Sequence, residues 1–373
     1  MTEEIEQKLC RVYTIPCPAC GTDNRYPRLK MDIYRVKSQE PDGHPLEYTW
    51  VKKGDYPLEL TPLSYFWASC SRCYYTAQLD DADYRQWKKK GTTKYLAMYH
   101  DDALESLSRG ADTGQNAAQA IGKGIQPQDV FGTLLAQFYL GIFTECLKSS
   151  PAPGILARSY LRVAWILRDE ERLFGASAGS STIRDCLSKA SGPWKKGLPP
   201  NSDYPLVPEI AVDEIGALRF ALACFEWNFS SLQEASLDDE MRLMALIAEI
   251  GYCVYELTDQ EEDFKKALSL FSGAMAKCMS VINDKNIVGG AVNRAKGFLE
   301  KAGDRGRELR ELKERREKGL EDRPQSAEAL PPQAPSPAPA PEAQEPAASP
   351  SVATEVQVVE EAPEPKHQPP AHA

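Results

Sequence analysis

Two pairs of cysteines are the residues of this chain whose types and spacing point most directly to chemistry. Cys17 and Cys20 form one C-x-x-C pair, and Cys70 and Cys73 form a second pair after an insertion of 49 residues. Two intervening residues let both sulfurs of a pair face one ion, and four thiolates complete a closed, tetrahedral zinc site. Gly21 follows the first pair and can take the positive φ that such a tight turn often requires. The spacing therefore predicts that these four cysteines bind one structural Zn²⁺.

Other uses of these cysteines are a redox dithiol or buried, inert thiols. A redox dithiol normally begins one helix in a βαβ setting and occurs once, whereas this chain has two pairs. A single metal ion bound by both pairs fits that arrangement better. Zinc ribbons usually separate their pairs by roughly 15–20 residues, so the longer insertion predicts extra strands or a loop between the pairs. Cys10 has no close partner and is interpreted as a spare thiol, with a fifth or alternative zinc ligand as the other interpretation.

A catalytic site is not predicted. A catalytic zinc keeps one position open and normally uses histidine or carboxylate ligands. His44 and His100, the histidines before the tail, belong to no zinc-enzyme motif; we expect His44 to be exposed in a turn and His100 to have a capping or surface role. The run Ile121-Gly122-Lys123-Gly124 lacks the earlier glycine and the Ser or Thr of a phosphate-binding loop.

The segment between the cysteine pairs must bring them together, and its pattern predicts strands and turns. Residues 31–37 alternate apolar with polar side chains, and residues 48–51 and 65–68 are aromatic and β-prone. Residues 41–43 (PDG) predict a turn. After Cys73 helical spacing begins, with Asp80 or Asp81 as the predicted cap of the first helix.

The rest of the folded chain is predicted to be helical. Two helix pairs show small and large apolar residues at intervals that resemble a tetratricopeptide repeat, with a plain helical bundle as the alternative. The sequence thus predicts an α+β protein: a small zinc-ribbon-like β domain, then an all-α tetratricopeptide-like domain and a disordered tail. The predicted limits are a β domain at 1–78 with a loose lead-in over 1–12, connecting helices at 79–110, a linker at 111–128, a repeat-like helical domain at 129–302 that is irregular over 175–208, a charged helix at 303–322 and a disordered tail at 323–373.

The charge is concentrated in the tail. The whole chain carries a net charge of −10, and the segment from 321 to 373 contains nine acidic and two basic residues, which leaves −3 for the remainder. A nearly neutral folded part argues against strong non-specific attraction to nucleic acid or to anionic membranes. The sequence shows no basic-then-apolar leader, so a cytoplasmic protein with ten reduced cysteines is expected. It also shows no apolar run of about 20 residues, so no association with a membrane is expected.

Three segments resemble a known family. They are residues 15–21 (IPCPACG), 34–38 (YRVKS) and 62–77 (PLSYFWASCSRCYYTA), and together they look like the bacterial family called domain of unknown function 2225. The resemblance covers roughly residues 10–300. It implies a cysteine-knuckle N-terminal part followed by tetratricopeptide-like helices, and it implies no particular activity. Tyr74 stands where that family usually has glycine after the fourth cysteine, which predicts a looser second knuckle.

Two functions of different classes follow from these patterns. The first is a zinc-stabilised adaptor or scaffold that binds protein partners on its helical domain. The second is a zinc-ribbon nucleic-acid-binding protein, because residues 25–53 hold seven Lys or Arg interleaved with Tyr26, Tyr34, Tyr48 and Trp50. The cations exceed the acids there by only three, which a solvated strand face also explains.

Overall fold

The strands come first along the chain and the long helices follow. The structure is a computed structural model that describes residues 3–52, 61–88, 92–126, 128–175, 181–199, 207–231, 236–287 and 289–320. Over these residues the strands form three antiparallel hairpins: β1 (Cys10–Pro16) with β2 (Asp23–Leu29), β3 (Tyr34–Gln39) with β4 (Pro45–Trp50), and β5 (Trp67–Ser69) with β6 (Thr76–Gln78). The helices are α1 (Glu3–Leu9), α2 (Ala82–Arg85), α3 (Thr92–Leu96), α4 (Ala103–Thr113), α5 (Ala117–Gly122), α6 (Val130–Cys146), α7 (Pro153–Phe174), α8 (Ser181–Gly197), α9 (Glu214–Ser231), α10 (Leu237–Thr258), α11 (Glu261–Asn283) and α12 (Gly290–Glu317). This order confirms the predicted α+β class.

The hairpins place both cysteine pairs at turns. The first pair lies between β1 and β2, whose register runs from Cys10 opposite Leu29 to Pro16 opposite Asp23. The second pair lies between β5 and β6. The β3–β4 hairpin occupies the insertion, as its alternating pattern predicts, although β3 begins at Tyr34 because Asp32 has a positive φ of 54°. The prediction of a loose lead-in over residues 1–12 is wrong, because α1 and β1 begin within this segment.

The expected linker over 111–128 contains the end of α4 and the whole of α5. Helix α4 continues to Thr113, and α5 follows with Ala117, Ala118 and Ile121 buried. The Asn116 side chain caps α5 by accepting a hydrogen bond of 2.8 Å from the Gln119 amide. The glycine and alanine content that suggests flexibility serves close packing here, because small residues let neighbouring groups approach the helix backbone.

One segment that was expected to be irregular is helical, and the predicted charged helix is present. The irregular region expected over 175–208 contains α8, which buries Ile183, Leu187 and Trp194 on one face despite the internal Pro193. The charged helix expected over 303–322 is the second half of α12, and it buries Leu309 and Leu312. In both cases a narrow apolar stripe is enough to attach the helix to the core. The predicted disordered tail lies outside the described residues.

One hydrophobic core connects the strands with most of the helices. It extends from Ile15 beside the first cysteine pair to Val254 in α10. The ring of Trp67 in β5 packs against Phe138 of α6 at a centroid distance of 5.8 Å and covers Gly141 of the same helix. The predicted boundary at residue 78 therefore does not separate two cores, because the β5–β6 hairpin buries its apolar face against α6.

The later helices pack in sequence order. Helix α9 lies against α7 and α10, and α11 lies between α10 and α12. A Cβ atom on Gly251 of α10 would lie 3.5 Å from the Cα of Ala267 in α11, so the predicted close approach of these two helices is confirmed. None of the helices in the described part of the chain is long and apolar enough to cross a membrane.

Candidate metal centre

The four predicted cysteines meet at one point between the first and third hairpins. The sulfur atoms of Cys17, Cys20, Cys70 and Cys73 all lie within 4.8 Å of one another. The Sγ–Sγ distance is 3.5 Å from Cys17 to Cys73 and 3.6 Å from Cys20 to Cys70. A tetrahedral ion with metal–sulfur bonds of about 2.3 Å separates its ligands by about 3.8 Å. The arrangement therefore fits one metal ion bound by four sulfurs.

The backbone of the first cysteine pair forms a tight knuckle. The Cys17 amide donates to the Thr22 carbonyl at 2.8 Å, and the Gly21 amide donates to the Cys17 carbonyl at 2.9 Å. Gly21 has a φ of +73°, a conformation that glycine adopts without steric cost. The indole of Trp87 donates to the carbonyl of Pro16 at 2.7 Å and so holds the strand that leads into this knuckle.

The second knuckle repeats the first with a tyrosine in place of the glycine. The Cys70 amide donates to the Tyr75 carbonyl at 2.8 Å, and the Tyr74 amide donates to the Cys70 carbonyl at 3.1 Å. Tyr74 takes the same left-handed conformation as Gly21, with a φ of +58°. The prediction that Tyr74 loosens this knuckle is wrong, because both hydrogen bonds are retained.

Helix α5 supports the second knuckle from outside. The Tyr74 ring lies directly over Gly122, where a Cβ atom would come within 2.4 Å of three ring carbons. The Gln119 side-chain amide donates to the Arg72 carbonyl at 3.1 Å. The segment that composition suggested to be a linker thus holds a residue of the metal centre in a strained backbone conformation.

Asn24 connects the two halves of the centre through hydrogen bonds. Its amide nitrogen donates to the Cys70 sulfur at 3.5 Å and to the Thr22 carbonyl at 2.8 Å. Its carbonyl oxygen accepts from the backbone and from the hydroxyl of Ser71, both at 2.9 Å. Such donors and orienting contacts hold ligand sulfurs in place and stabilise negative charge on them. No local pattern indicates this role of Asn24, because Cys70 and Ser71 lie 46 and 47 residues away along the chain.

Because the four sulfurs lie so close together, the pKa values of their thiols are shifted in opposite directions. The pKa of Cys70 is lowered, chiefly by hydrogen bonds from Cys17 and Cys73. The pKa of Cys73 is raised, chiefly by its hydrogen bond with Cys17, since a second thiolate beside the first is unfavourable. A divalent cation removes this conflict because it stabilises all four deprotonated sulfurs at once.

The other cysteines stand apart from this centre. Cys10 lies in a small separate core with Leu9, Ile33 and Tyr65, and burial raises its pKa to about 11. It therefore remains a protonated thiol near neutral pH, as a spare thiol would. The cysteines at 146, 186, 224 and 278 are buried among apolar helix residues, as their sequence surroundings indicate.

A partly buried group of charges, which we call the hairpin latch, connects the tip of the β3–β4 hairpin to α7. His44 was predicted to be exposed, but its side chain is only 3% exposed. Its Nδ1 lies 3.0 Å from Glu40, its Nε2 lies 3.1 Å from Asp169, and its ring stacks on Trp165 at 5.4 Å. The latch consists of Glu40, Asp42 and His44 from the hairpin, Trp165, Arg168, Asp169 and Arg172 from α7, and Glu214 from α9.

Arg168 is the central cation of the latch. It pairs with Glu40, with Asp42 at 3.1 Å and with Glu214 at 2.6 Å. Burial alone would raise the pKa of Glu40, but hydrogen bonds and charges from Arg172, Arg168 and His44 outweigh it and lower that pKa to about 2. The latch is thus a permanently charged connection at neutral pH, and it fixes the insertion that separates the two cysteine pairs.

His100 was expected to cap a helix or lie at the surface. Its amide donates to the Leu147 carbonyl at 3.0 Å, and its carbonyl accepts from the Ala103 amide at 3.1 Å. Both contacts involve the backbone, and the residue is half-buried beside the start of α4. It lies outside the metal centre and outside the latch.

Comparisons of the chain with protein-family models, with curated proteins and with solved structures found no match. The resemblance to the family called domain of unknown function 2225 therefore stays a prediction. The description of the metal centre rests on the geometry of its own residues.

Proposed function

We propose that the chain is a zinc-stabilised protein–protein interaction protein, an adaptor or scaffold with no catalytic activity of its own. The observation that carries this proposal is the closed set of four cysteine ligands. Four sulfurs fill the tetrahedral positions of Zn²⁺ and leave none for a substrate or for an activated water. The metal then acts by holding two distant parts of the chain together.

The helical part supplies the surface for a partner. Helices α9 to α12 pack against their neighbours in sequence order, as the helices of repeat proteins do. Small residues at Gly251 and Ala267 allow the close approach that such stacking needs. Leu257 at the end of α10 and Met279 in α11 are exposed by 44% and 45%, so this stack offers apolar side chains to a partner.

A pull-down followed by direct binding tests the proposal. The full chain is used as bait, and any protein that is enriched is then purified and titrated against the chain. We expect Leu257→Lys or Met279→Lys to weaken that binding, because a charge replaces an apolar contact. Leu173→Lys, on the exposed end of α7, is the matched control. Failure to recover any specific partner, or equal weakening by the control, would contradict the proposal.

The nucleic-acid-binding alternative has less support. Tyr26 is only 7% exposed, so it offers no face for base stacking. Arg25 pairs with Glu6 at 2.9 Å and Lys37 pairs with Glu47 at 2.6 Å. Lys30 donates to the carbonyls of residues 7 and 8. Cations already engaged in this way gain less from phosphate contacts.

Fluorescence polarisation with a single-stranded oligonucleotide distinguishes the two functions. A nucleic-acid-binding protein releases counterions, so its affinity falls steeply with salt concentration. We expect no specific binding at low salt. Tight binding at low salt that weakens steeply at physiological salt would favour the alternative.

A further inference from the structure

Two arginines on α7 have no anionic partner among the described residues. Arg158 and Arg162 lie one helical turn apart, at i and i+4, where side chains of an α-helix are neighbours. The same helix carries Arg168 and Arg172, and both of these pair with carboxylates of the latch. Within the described part of the chain, the two arginines nearer the start of α7 therefore form a pair of like charges without a carboxylate partner.

The side chain of Arg162 is held in a fixed position. Its guanidinium carbon lies 4.2 Å from the centre of the Phe66 ring. Phe66 in turn stacks on Phe138 of α6, with centroids 5.8 Å apart and planes 6° from parallel. A guanidinium over an aromatic ring keeps its N–H groups free at the edges of its plane. Arg162 is thus preorganised to donate hydrogen bonds to a ligand.

The aromatic side of the β3–β4 hairpin lies next to this pair. Tyr34 and Tyr48 are half-buried neighbours with ring centroids 5.8 Å apart, and both lie close to Arg162. The latch holds the hairpin against α7 further along the same helix. The two cations, the two phenols and the Phe66 ring form one group, which we call the arginine site.

The charges of the arginine site are destabilising without a counterion. Burial, and then the charge of Arg158, lower the pKa of Arg162 to about 10, and burial lowers the pKa of Arg158. Both groups nevertheless remain protonated at neutral pH. Arg162 is half-buried, and a partly buried charge without a partner is unfavourable, whereas Arg158 is exposed. Arg310 on α12 is also exposed and also lacks a partner among the described residues, so it serves as the reference for an isolated surface cation.

The geometry and charge of this group select the ligand. Planar guanidinium groups match the oxygens of phosphate and carboxylate. A phosphate monoester carries about two negative charges at neutral pH, which balances both arginines, whereas a carboxylate balances only one. We propose that the arginine site binds the phosphate group of a phosphate monoester, with Arg158 and Arg162 as its hydrogen-bond donors. This proposal does not depend on the proposed function.

Isothermal titration calorimetry on the full chain tests the proposal. The probes are phenyl phosphate, inorganic phosphate and a phosphoserine peptide, with acetate as the monoanionic control at constant ionic strength. We expect micromolar to millimolar binding of the phosphates and a loss of at least about tenfold in the R158Q/R162Q variant. The R310Q variant, which removes an exposed charge from α12, should bind as the wild type does.

Several outcomes would overturn the proposal. These are an absence of binding to every phosphate probe, equal affinity for acetate, and equal loss in R310Q and R158Q/R162Q. If circular dichroism shows that R158Q/R162Q does not fold, the R162K variant replaces it in the test, because lysine keeps the charge and removes the planar guanidinium. Unchanged phosphate affinity of R162K would then contradict the proposed site. Tighter binding of phenyl phosphate than of the peptide indicates a small phosphate ester, and the reverse indicates a phosphorylated protein segment.

Discussion

Tyr74 and Gly122 show how a single pair of residues shapes the metal centre. Gly21 and Tyr74 occupy equivalent places in the two knuckles, and both have a positive φ. For a residue with a side chain this conformation costs about 1–2 kcal/mol. The Tyr74 ring lies over Gly122, where no side chain obstructs it. The packing of this ring offsets the backbone strain and connects α5 to the metal centre.

We predict that Gly122→Ala destabilises the chain by about 1–3 kcal/mol, because its methyl group would overlap the Tyr74 ring. In a Tyr74→Gly background the same substitution should be tolerated, since the ring is absent and glycine suits a positive φ. Urea unfolding of both single variants and the double variant measures the coupling.

Gly192→Ala is the control for this double-mutant cycle of Gly122 and Tyr74. Gly192 lies in α8 with open space around the position of a Cβ atom, so alanine there should be neutral or stabilise by up to about 1 kcal/mol. Equal costs of Gly122→Ala in the presence and absence of the Tyr74 ring would show that the two residues do not interact.

Metal content is a second prediction at the residue scale. We expect one zinc per chain by inductively coupled plasma mass spectrometry, and we expect Cys70→Ser to lose it, because serine is a poor zinc ligand. Cys10→Ser is the matched control, since Cys10 is buried in a separate core. Zinc retained by Cys70→Ser, or lost equally by Cys10→Ser, would contradict the four-cysteine site.

At the scale of elements, the β3–β4 hairpin is held by side-chain charge. It forms a two-stranded sheet by itself; β3 exposes five of its six residues and β4 exposes three of six. Its turn, by contrast, buries Asp42 and His44 in the latch. A hairpin attached in this way responds to the ionisation of the latch more than to the hydrophobic core.

The pH dependence of the latch has a definite sign. Burial by itself lowers the pKa of His44, but Asp169 and Glu40 outweigh it and raise that pKa above its usual value. The contribution of His44 is therefore complete below about pH 6.5 and is lost as the pH rises through the raised value. The contribution of Glu40 is complete above about pH 4.5 and is lost as the pH falls toward 2.

We predict that His44→Gln lowers the free energy of unfolding by about 2 kcal/mol near pH 6, where the wild-type histidine is charged and hydrogen-bonded. The difference from wild type should shrink as the pH rises through the raised pKa of His44. Urea unfolding at several pH values measures it. His100→Gln, outside the latch, should leave the profile unchanged, and a constant difference at every pH would refute a charged His44.

At the scale of the whole molecule, the metal centre and the helices share one core. Ile15, Cys17 and Trp67 belong to the same buried cluster as Phe138, Trp194 and Phe225. Short hairpins cannot build a core of their own, so the β5–β6 hairpin depends on α6 for burial. Loss of the metal should consequently destabilise helices that lie far from the cysteines.

We predict that removal of zinc with a chelator lowers the thermal midpoint of the entire described unit in a single transition. Far-UV circular dichroism follows the helices, and tryptophan fluorescence follows all six tryptophans, of which Trp50 and Trp67 precede residue 78. The two signals should shift together, because a shared core unfolds cooperatively. An independent β domain would instead give an early fluorescence change while the helical signal stayed constant.

The sequence alone identified the features that depend on local pattern. The C-x-x-C pairs, the Pro41-Asp42-Gly43 turn, the Asp81 cap of α2 and the apolar stripes of the long helices were all predictable. Each of these features depends on residues within a few positions of one another. The α+β order followed because strand and helix periods are local properties as well.

Tertiary structure decided what distant residues do for one another. His44 is buried because Asp169 and Trp165 lie beside it, more than 120 residues later in the chain. Tyr74 is tolerated in a left-handed conformation because Gly122 leaves room for its ring. Composition marked one of these segments as an exposed turn and the other as a linker. Burial and strain depend on which surfaces meet, and that is fixed only when the whole chain has packed.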